Sequence, residues 1–233
     1  STLSITRGFR HLINGTATPG FEPVKRLFER QMRNLAEENA QLCVYHRGIK
    51  VVDLWCSKSH DPNFGADSLI NVFSSGKSLE AIAIASLVGR GLLTYETTIC
   101  EVWPEYHGGG KEHTCVADLM RHEAGLATFD TAIAVDDLLP ENIKANRLGS
   151  LIENQDQHFR SAAATRREYH AMTRGWIVNE VFRRVDPAGR TLGEYLAEEI
   201  SGPLNADVVV GLNDAQLRRV SNITPLGIRC HIL

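Results

Sequence analysis

The sequence predicts an α/β chain of the α+β type, a small sheet followed by a largely helical region. Three observations predict it. Residues 42–46 and 49–55 are β-rich runs flanking Arg47-Gly48, the pattern of a hairpin. Residues 79–88 form a nearly unbroken, alanine-rich apolar run without proline, which is a good helix former. Residues 169–185 place Met172, Trp176, Ile177, Val181 and Phe182 on one helical face.

Taken in order, residues 1–19 look irregular. Residues 21–39 carry Phe21, Val24, Leu27, Phe28, Met32 and Leu35 at spacings of three and four, a helical pattern. The hairpin follows, then a polar loop over 57–68 that contains Pro62 and Gly65. The helix expected over 75–89 is apolar on all sides, so it is read as centrally buried. Gly89 and Gly91 suit its C-terminal end. Gly108-Gly109-Gly110 makes another loop, residues 116–122 read as a short helix stopped near Gly125, and helix is expected around 147–154. A last helix spans 192–200 and is closed by Gly202-Pro203. A hairpin does not stand alone, and 207–211 is the only good late strand candidate. Three parts are therefore expected: 1–70 with the N-terminal helix and hairpin, 71–205 as the mainly helical region, and 206–233 as an incomplete return to the sheet.

The chain has 233 residues, 43% hydrophobic and 23% charged, which suits a soluble globular protein with a substantial core. A net charge of -3 gives no case for nucleic acid or an acidic membrane surface as partner. No apolar run reaches membrane-spanning length. Cys43, Cys56, Cys100, Cys115 and Cys230 are dispersed without zinc-like spacing. They read as buried free thiols in a reducing compartment, which makes a cytoplasmic location the expectation. His107 and His113 lie beside three glycines but lack ligand spacing, so neither a metal nor a cofactor is expected.

Asn71-Val72-Phe73-Ser74-Ser75-Gly76-Lys77-Ser78 runs into the apolar helix. Ser74 at the helix start and Lys77 one turn later share a face. A serine hydroxyl is a weak nucleophile until a nearby base takes its proton. Burial disfavours an ammonium, which makes Lys77 a candidate base or proton relay. The helix N-terminus adds partial positive charge and free N–H groups where an oxyanion would develop. The same two residues also suit an N-cap and a solvated first-turn lysine, and Ser-x-x-Lys alone does not decide between these readings.

Further stretches stand in a telling order: Val51-Val52-Asp53-Leu54-Trp55, the Ser74 segment, Gly91-Leu92-Leu93-Thr94-Tyr95 with Trp103-Pro104-Glu105-Tyr106, then Asp118-Leu119-Met120-Arg121-His122-Glu123-Ala124-Gly125-Leu126. Tyr169-His170-Ala171-Met172-Thr173-Arg174-Gly175-Trp176 and Pro203-Leu204 complete the series. In this order and spacing the chain resembles the serine β-lactamase-related superfamily from about residue 20 to about residue 212, and looks most like its class C β-lactamase-like carboxylesterases. The resemblance implies a β-lactamase/transpeptidase-like fold, a mixed sheet plus a largely helical region. It also implies a mechanism in which Ser74 attacks an acyl carbonyl, Lys77 accepts or relays the serine proton, and Tyr169 is the second base that protonates the leaving group. Ser75 and His170 are carried over as substrate-binding neighbours. The oxyanion hole would use the Ser74 N–H and a second N–H from a later strand. A lysine ammonium beside Tyr169 would favour its phenolate form. His122 reads as a structural hydrogen-bonding histidine, and Trp55, Trp103 and Trp176 as core.

Two departures from the family pattern stand out. Residues 159–168 replace a Trp-x-Pro-Gly-like turn with a pliable, charged segment ahead of Tyr169. Members of the family also continue past the point at which this sequence stops, so the C-terminal strands, a third motif on an edge strand and a C-terminal helix are expected to be missing. The leading expectation is a serine hydrolase acting on a small acyl ester or amide. A catalytically impaired β-lactamase-like remnant that binds a partner, and a β-lactamase or D-Ala-D-Ala peptidase, are the alternatives. Oligomeric state is left open.

Overall fold

The structure, a computed structural model, describes residues 13–159 and 166–223. It divides into two units, residues 1–71 with 212–233, and residues 72–211.

In the first unit a helix, α1 (Glu22–Asn34), accompanies a three-stranded antiparallel sheet. The strands are β1 (Ile13–Ala17), β2 (Asn39–His46) and β3 (Ile49–Ser57), in the order β1-β3-β2. The hairpin closes at Arg47 and Gly48, both with positive φ (51° and 78°), which matches the right-handed twist of the flanking strands. Alternation along β3 buries Val52, Leu54 and Cys56 against Phe28 and Met32 of α1. The N-terminal residues read as irregular supply the third strand. Asn14 and Gly15 weaken its β-pattern, and close approach to β3 explains the glycine. Gly15 has φ +94°, and a Cβ there would lie 1.9 Å from the Asp53 carbonyl oxygen. Gly15→Ala is therefore expected to lower stability by about 1–3 kcal/mol. A urea midpoint equal to that of the wild type, with unchanged slope, would contradict this.

Other boundaries differ from the sequence reading. α1 stops at Asn34 rather than near 39, because Leu35 turns to extended backbone and the chain enters β2 at Asn39. Residues 207–211 form no strand. They run close to the start of a helix in the second unit, where a Cβ on Gly193 would meet the Val210 carbonyl oxygen at 2.8 Å. Cys43 is exposed rather than buried, while Cys56 is buried.

The second unit is helical. It contains α2 (Lys77–Gly89), α3 (Ile99–Val102), α4 (Val116–Met120), α5 (Pro140–Lys144), α6 (Arg147–Glu153), α7 (Thr173–Val185) and α8 (Leu192–Tyr195), the last continuing as a π-turn over Leu196–Ser201. The chain then passes to α9 (Asp214–Leu217), in the first unit, which Asn213 caps by accepting the Gln216 N–H. Capping boxes start α3 at Thr98 with Glu101 and α8 at Thr191 with Glu194. Ala83, Ile84 and Leu87 of α2 pack with Ile177, Val181 and Phe182 of α7 in one core. Contrary to the expectation of all-round burial, Ala81, Ile82 and Ala85 of α2 are exposed. α7 and α8 cover one flank of that helix. Trp103 is fully buried, but Trp55 and Trp176 are only half-buried.

A fully buried carboxylate braces the far end of α7. Glu180 accepts from Arg183 at 2.6 Å and from Arg184 at 2.5 Å, and both guanidinium groups also reach Asn146 Oδ1. Arg184 lies over the Trp103 ring, 3.9 Å from its centroid.

Candidate active site

The segment before α2 is a single 3-10 turn, Phe73–Gly76. Phe73 is held at φ 46°, a conformation that costs a bulky residue energy, and it is exposed. Strain of this kind one residue before Ser74 marks the turn as more than a helix start. Phe73 carries no sequence signal for it, because the φ comes from the surrounding fold.

Three of the residues singled out in the sequence meet here. Lys77 Nζ lies 3.4 Å from Ser74 Oγ, and the Tyr169 hydroxyl donates to Ser74 Oγ at 2.5 Å. Lys77 Nζ also donates to the Ala171 carbonyl at 2.6 Å and sits 5.2 Å from the Tyr169 ring centroid. The enclosure expected for Lys77 is not found: it is half-buried, and Ser74 and Tyr169 are exposed. Ser75 is exposed on the same turn, and its carbonyl accepts the Ser78 hydroxyl at 2.7 Å.

Tyr169 does not begin a helix. It lies in a stretch without helix or strand, which is followed by a turn at Ala171 and Met172 before α7 starts at Thr173. His122 fixes this stretch: its carbonyl accepts the Glu168 N–H at 3.0 Å, and its Nδ1 accepts the His170 N–H at 3.0 Å. Arg167 anchors it further, donating to the buried Glu123 at 2.7 Å. Of the segment read as pliable, residues 160–165 lie outside the described residues. The His122 and Tyr169 rings are in contact, with centroids 4.7 Å apart.

The hydroxyl of Ser74 does most to hold the Tyr169 phenol below its ordinary pKa; desolvation opposes it as the next largest effect, and Lys77 and then Arg174 add smaller favourable contributions. Burial, reinforced by the positive charge of Arg174, pushes His122 down to about 4, so the ring is neutral at physiological pH. Its Nε2 lies 3.1 Å from Arg174 Nη1. A neutral ring offers one acceptor, and the His170 amide takes it, so Nε2 carries the ring proton.

His170 corrects the expectation of a substrate contact. It is fully buried; its Nε2 accepts the Leu126 N–H at 2.9 Å and its Nδ1 contacts the Glu168 carbonyl at 2.5 Å. Both ring nitrogens are committed to backbone, so His170 ties two segments together. Its sequence neighbour Tyr169 is exposed, so the two side chains part ways at this point of the chain.

Arg174 was not foreseen. It is buried on α7, donates to Glu80 Oε2 at 2.8 Å, and reaches the Lys77 and Met120 carbonyls at 3.1 and 3.2 Å. An arginine in a helix reads from sequence as solvated surface, and no local pattern distinguishes this one. Farther along α7, Thr173 and Trp176 join Thr128, Phe129, Ile133 and Leu138 around an open, largely apolar cavity of about 350 Å³. Among the described residues no three His, Cys, Asp or Glu side chains cluster as a metal site, and no helix is long and apolar enough to cross a membrane.

Comparison with known proteins bears on this geometry. The chain is 32% identical over 196 residues to an esterase/beta-lactamase, LipL, of Mycobacterium tuberculosis, covering 83% of this chain and 43% of that protein. It superposes on a penicillin-binding protein homologue from Caulobacter crescentus with a TM-score of 0.80 at 31% identity, covering 91% of this chain and 56% of the other. A family VIII carboxylesterase gives a TM-score of 0.80 at 29% identity, covering 91% and 57%. The chain thus spans about half the length of these relatives. The sequence profile of the beta-lactamase family matches residues 24–225, and the chain belongs to that family.

Proposed function

We propose that the chain carries the acyl-transfer centre of a serine hydrolase of the carboxylesterase type, acting on small acyl esters. The observation that supports this most is the meeting of Ser74 Oγ with Tyr169 Oη at 2.5 Å and Lys77 Nζ at 3.4 Å. In the ionised form of Tyr169, which Lys77 stabilises, the phenolate oxygen takes the Ser74 proton as Ser74 Oγ forms a bond to the substrate's carbonyl carbon and the carbonyl π pair moves onto its oxygen. The tetrahedral intermediate collapses, the C–O bond to the alcohol breaks, and Tyr169 returns the proton to the leaving alkoxide. Water then attacks the acyl carbonyl carbon as the same oxygen takes its proton; the bond to Ser74 Oγ breaks, Tyr169 returns the proton to Ser74, and the carboxylic acid is released. Developing negative charge is met by the Ser74 N–H at the start of the helix. Ser75 flanks the substrate on the exposed turn. The free thiols of Cys43, Cys56, Cys100 and Cys115 are in keeping with a cytoplasmic location.

One observation favours a second reading, a beta-lactamase-like module that binds without turnover. Among the described residues of 72–211 there is no strand to offer a second oxyanion N–H. Hydrolysis of p-nitrophenyl butyrate and of nitrocefin by the wild type and Ser74→Ala separates the readings. Butyrate turnover that vanishes in Ser74→Ala is the expected result. A folded chain inert to both substrates supports the binding module, and a preference for nitrocefin makes it a β-lactamase.

A further inference from the structure

The buried guanidinium of Arg174 connects elements that the proposed chemistry needs in register. Its contacts are the Lys77 carbonyl and Glu80 carboxylate of α2, the Met120 carbonyl at the end of α4, and His122 Nε2. Lys77 is one of the groups on Ser74, and His122 both contacts the Tyr169 ring and accepts from the amide next to it. With Nδ1 accepting the His170 amide, His122 Nε2 carries the ring proton and is a close contact only, so the acceptors Arg174 satisfies are the Lys77 and Met120 carbonyls and the Glu80 carboxylate. A planar group with five donors can meet these divergent oxygens, whereas a lysine ammonium cannot present the same fork. We propose that Arg174 is a positioning residue for Tyr169, locking the Lys77 backbone, His122 and the start of α7 into one unit while bringing a fixed positive charge to the phenol. This rests on the reading of Ser74 and Tyr169 as the reacting pair.

The charged groups that act on Tyr169 are Lys77 from α2 and Arg174 from α7; His122 touches its ring, Arg167, Glu168 and His170 flank it in sequence, Glu123 pairs with Arg167, and Glu80 of α2 pairs with Arg174. Glu80 partly offsets the Arg174 charge, which gives a test by sign. Arg174→Met removes the cation, and Glu80→Gln removes the opposing anion while keeping an amide oxygen for Arg174 Nε. A structural clamp, by contrast, has no reason to move the phenol's titration in opposite directions in the two variants.

The readout is ultraviolet difference titration of tyrosinate on the full chain, with Tyr169→Phe subtracted to isolate Tyr169. Rates of fluorophosphonate labelling across pH are measured alongside. Arg174→Met is expected to raise the Tyr169 midpoint and, because less phenolate is then present, to slow labelling at neutral pH by the matching factor. Glu80→Gln is expected to lower the midpoint. A midpoint unmoved in Arg174→Met, or shifted the same way in both variants, overturns the proposal. If Arg174→Met does not fold, Glu80→Gln decides: a lowered midpoint supports the proposal and any other result overturns it. The titration needs no substrate, so absence of labelling in the wild type would defeat the hydrolase reading while leaving the Arg174 measurement to stand or fall separately.

Discussion

Tyr169→Phe is expected to slow acylation of Ser74 by about 10²–10⁴-fold, the range for loss of a positioned proton acceptor. The substitution is selective. The ring that contacts His122 remains, and only the hydroxyl that meets Ser74 Oγ is lost. The half-exposed position leaves no buried polar group unpaired on the enzyme side, so thermal stability should change little. Lys77→Ala should produce a loss of similar size, with an added cost because the bond to the Ala171 carbonyl goes as well. Combining the two should cost far less than the product of the single effects, because both act on one proton transfer. The wild-type rate should rise with pH and level off below the ordinary phenol value of 10.0, since Tyr169 is held below it. A Tyr169→Phe rate within twofold of wild type would remove Tyr169 from the mechanism.

Glu180→Ala should be the most destabilising single change in the second unit. Glu180 is fully buried and neutralises Arg183 and Arg184, whose side chains are only 14% and 15% exposed. Removing the anion leaves two desolvated guanidinium groups that share the neutral Asn146 Oδ1, with Glu153, 3.6 Å from Arg184, as the remaining carboxylate of the cluster. Breaking a buried ion pair from one side costs about 3–5 kcal/mol, and urea unfolding should read a loss of that size. The substitution lies on the helix whose first turn carries Arg174, so a folded but loosened α7 should also depress reactivity at Ser74. A loss under about 1 kcal/mol would mean that the cluster is solvated rather than buried.

Much of the fold was legible because it follows local periodicity. The hairpin, the α2 run and the Ile177, Val181 and Phe182 face of α7 each repeat at the period of their element, whereas Met172, read as part of that face, precedes the helix and is exposed. What escaped depends on contacts distant in sequence. β1 carries Asn14 and Gly15, poor strand formers that are explained only by its pairing with β3. The exposed face of α2 was misread because composition reports how apolar a helix is, not how many neighbours cover it. Ser74 and Lys77 were legible together because three residues on a helix make neighbours. Tyr169 had no local signal and entered only through family resemblance. His170 was misassigned because adjacency to Tyr169 in sequence does not report burial: Tyr169 is exposed and His170 fully buried. Arg174 and His122 are 52 residues apart in the chain and meet only in the folded unit.

The central claim is that Ser74 is the activated nucleophile. It is tested most directly by treating the full chain with a fluorophosphonate at neutral pH, measuring the intact mass and locating the adduct by peptide sequencing. One adduct, on Ser74, lost in Ser74→Ala and slowed in Lys77→Ala, is the predicted result. A folded chain that takes up no label, or that carries it on another residue, would contradict the claim.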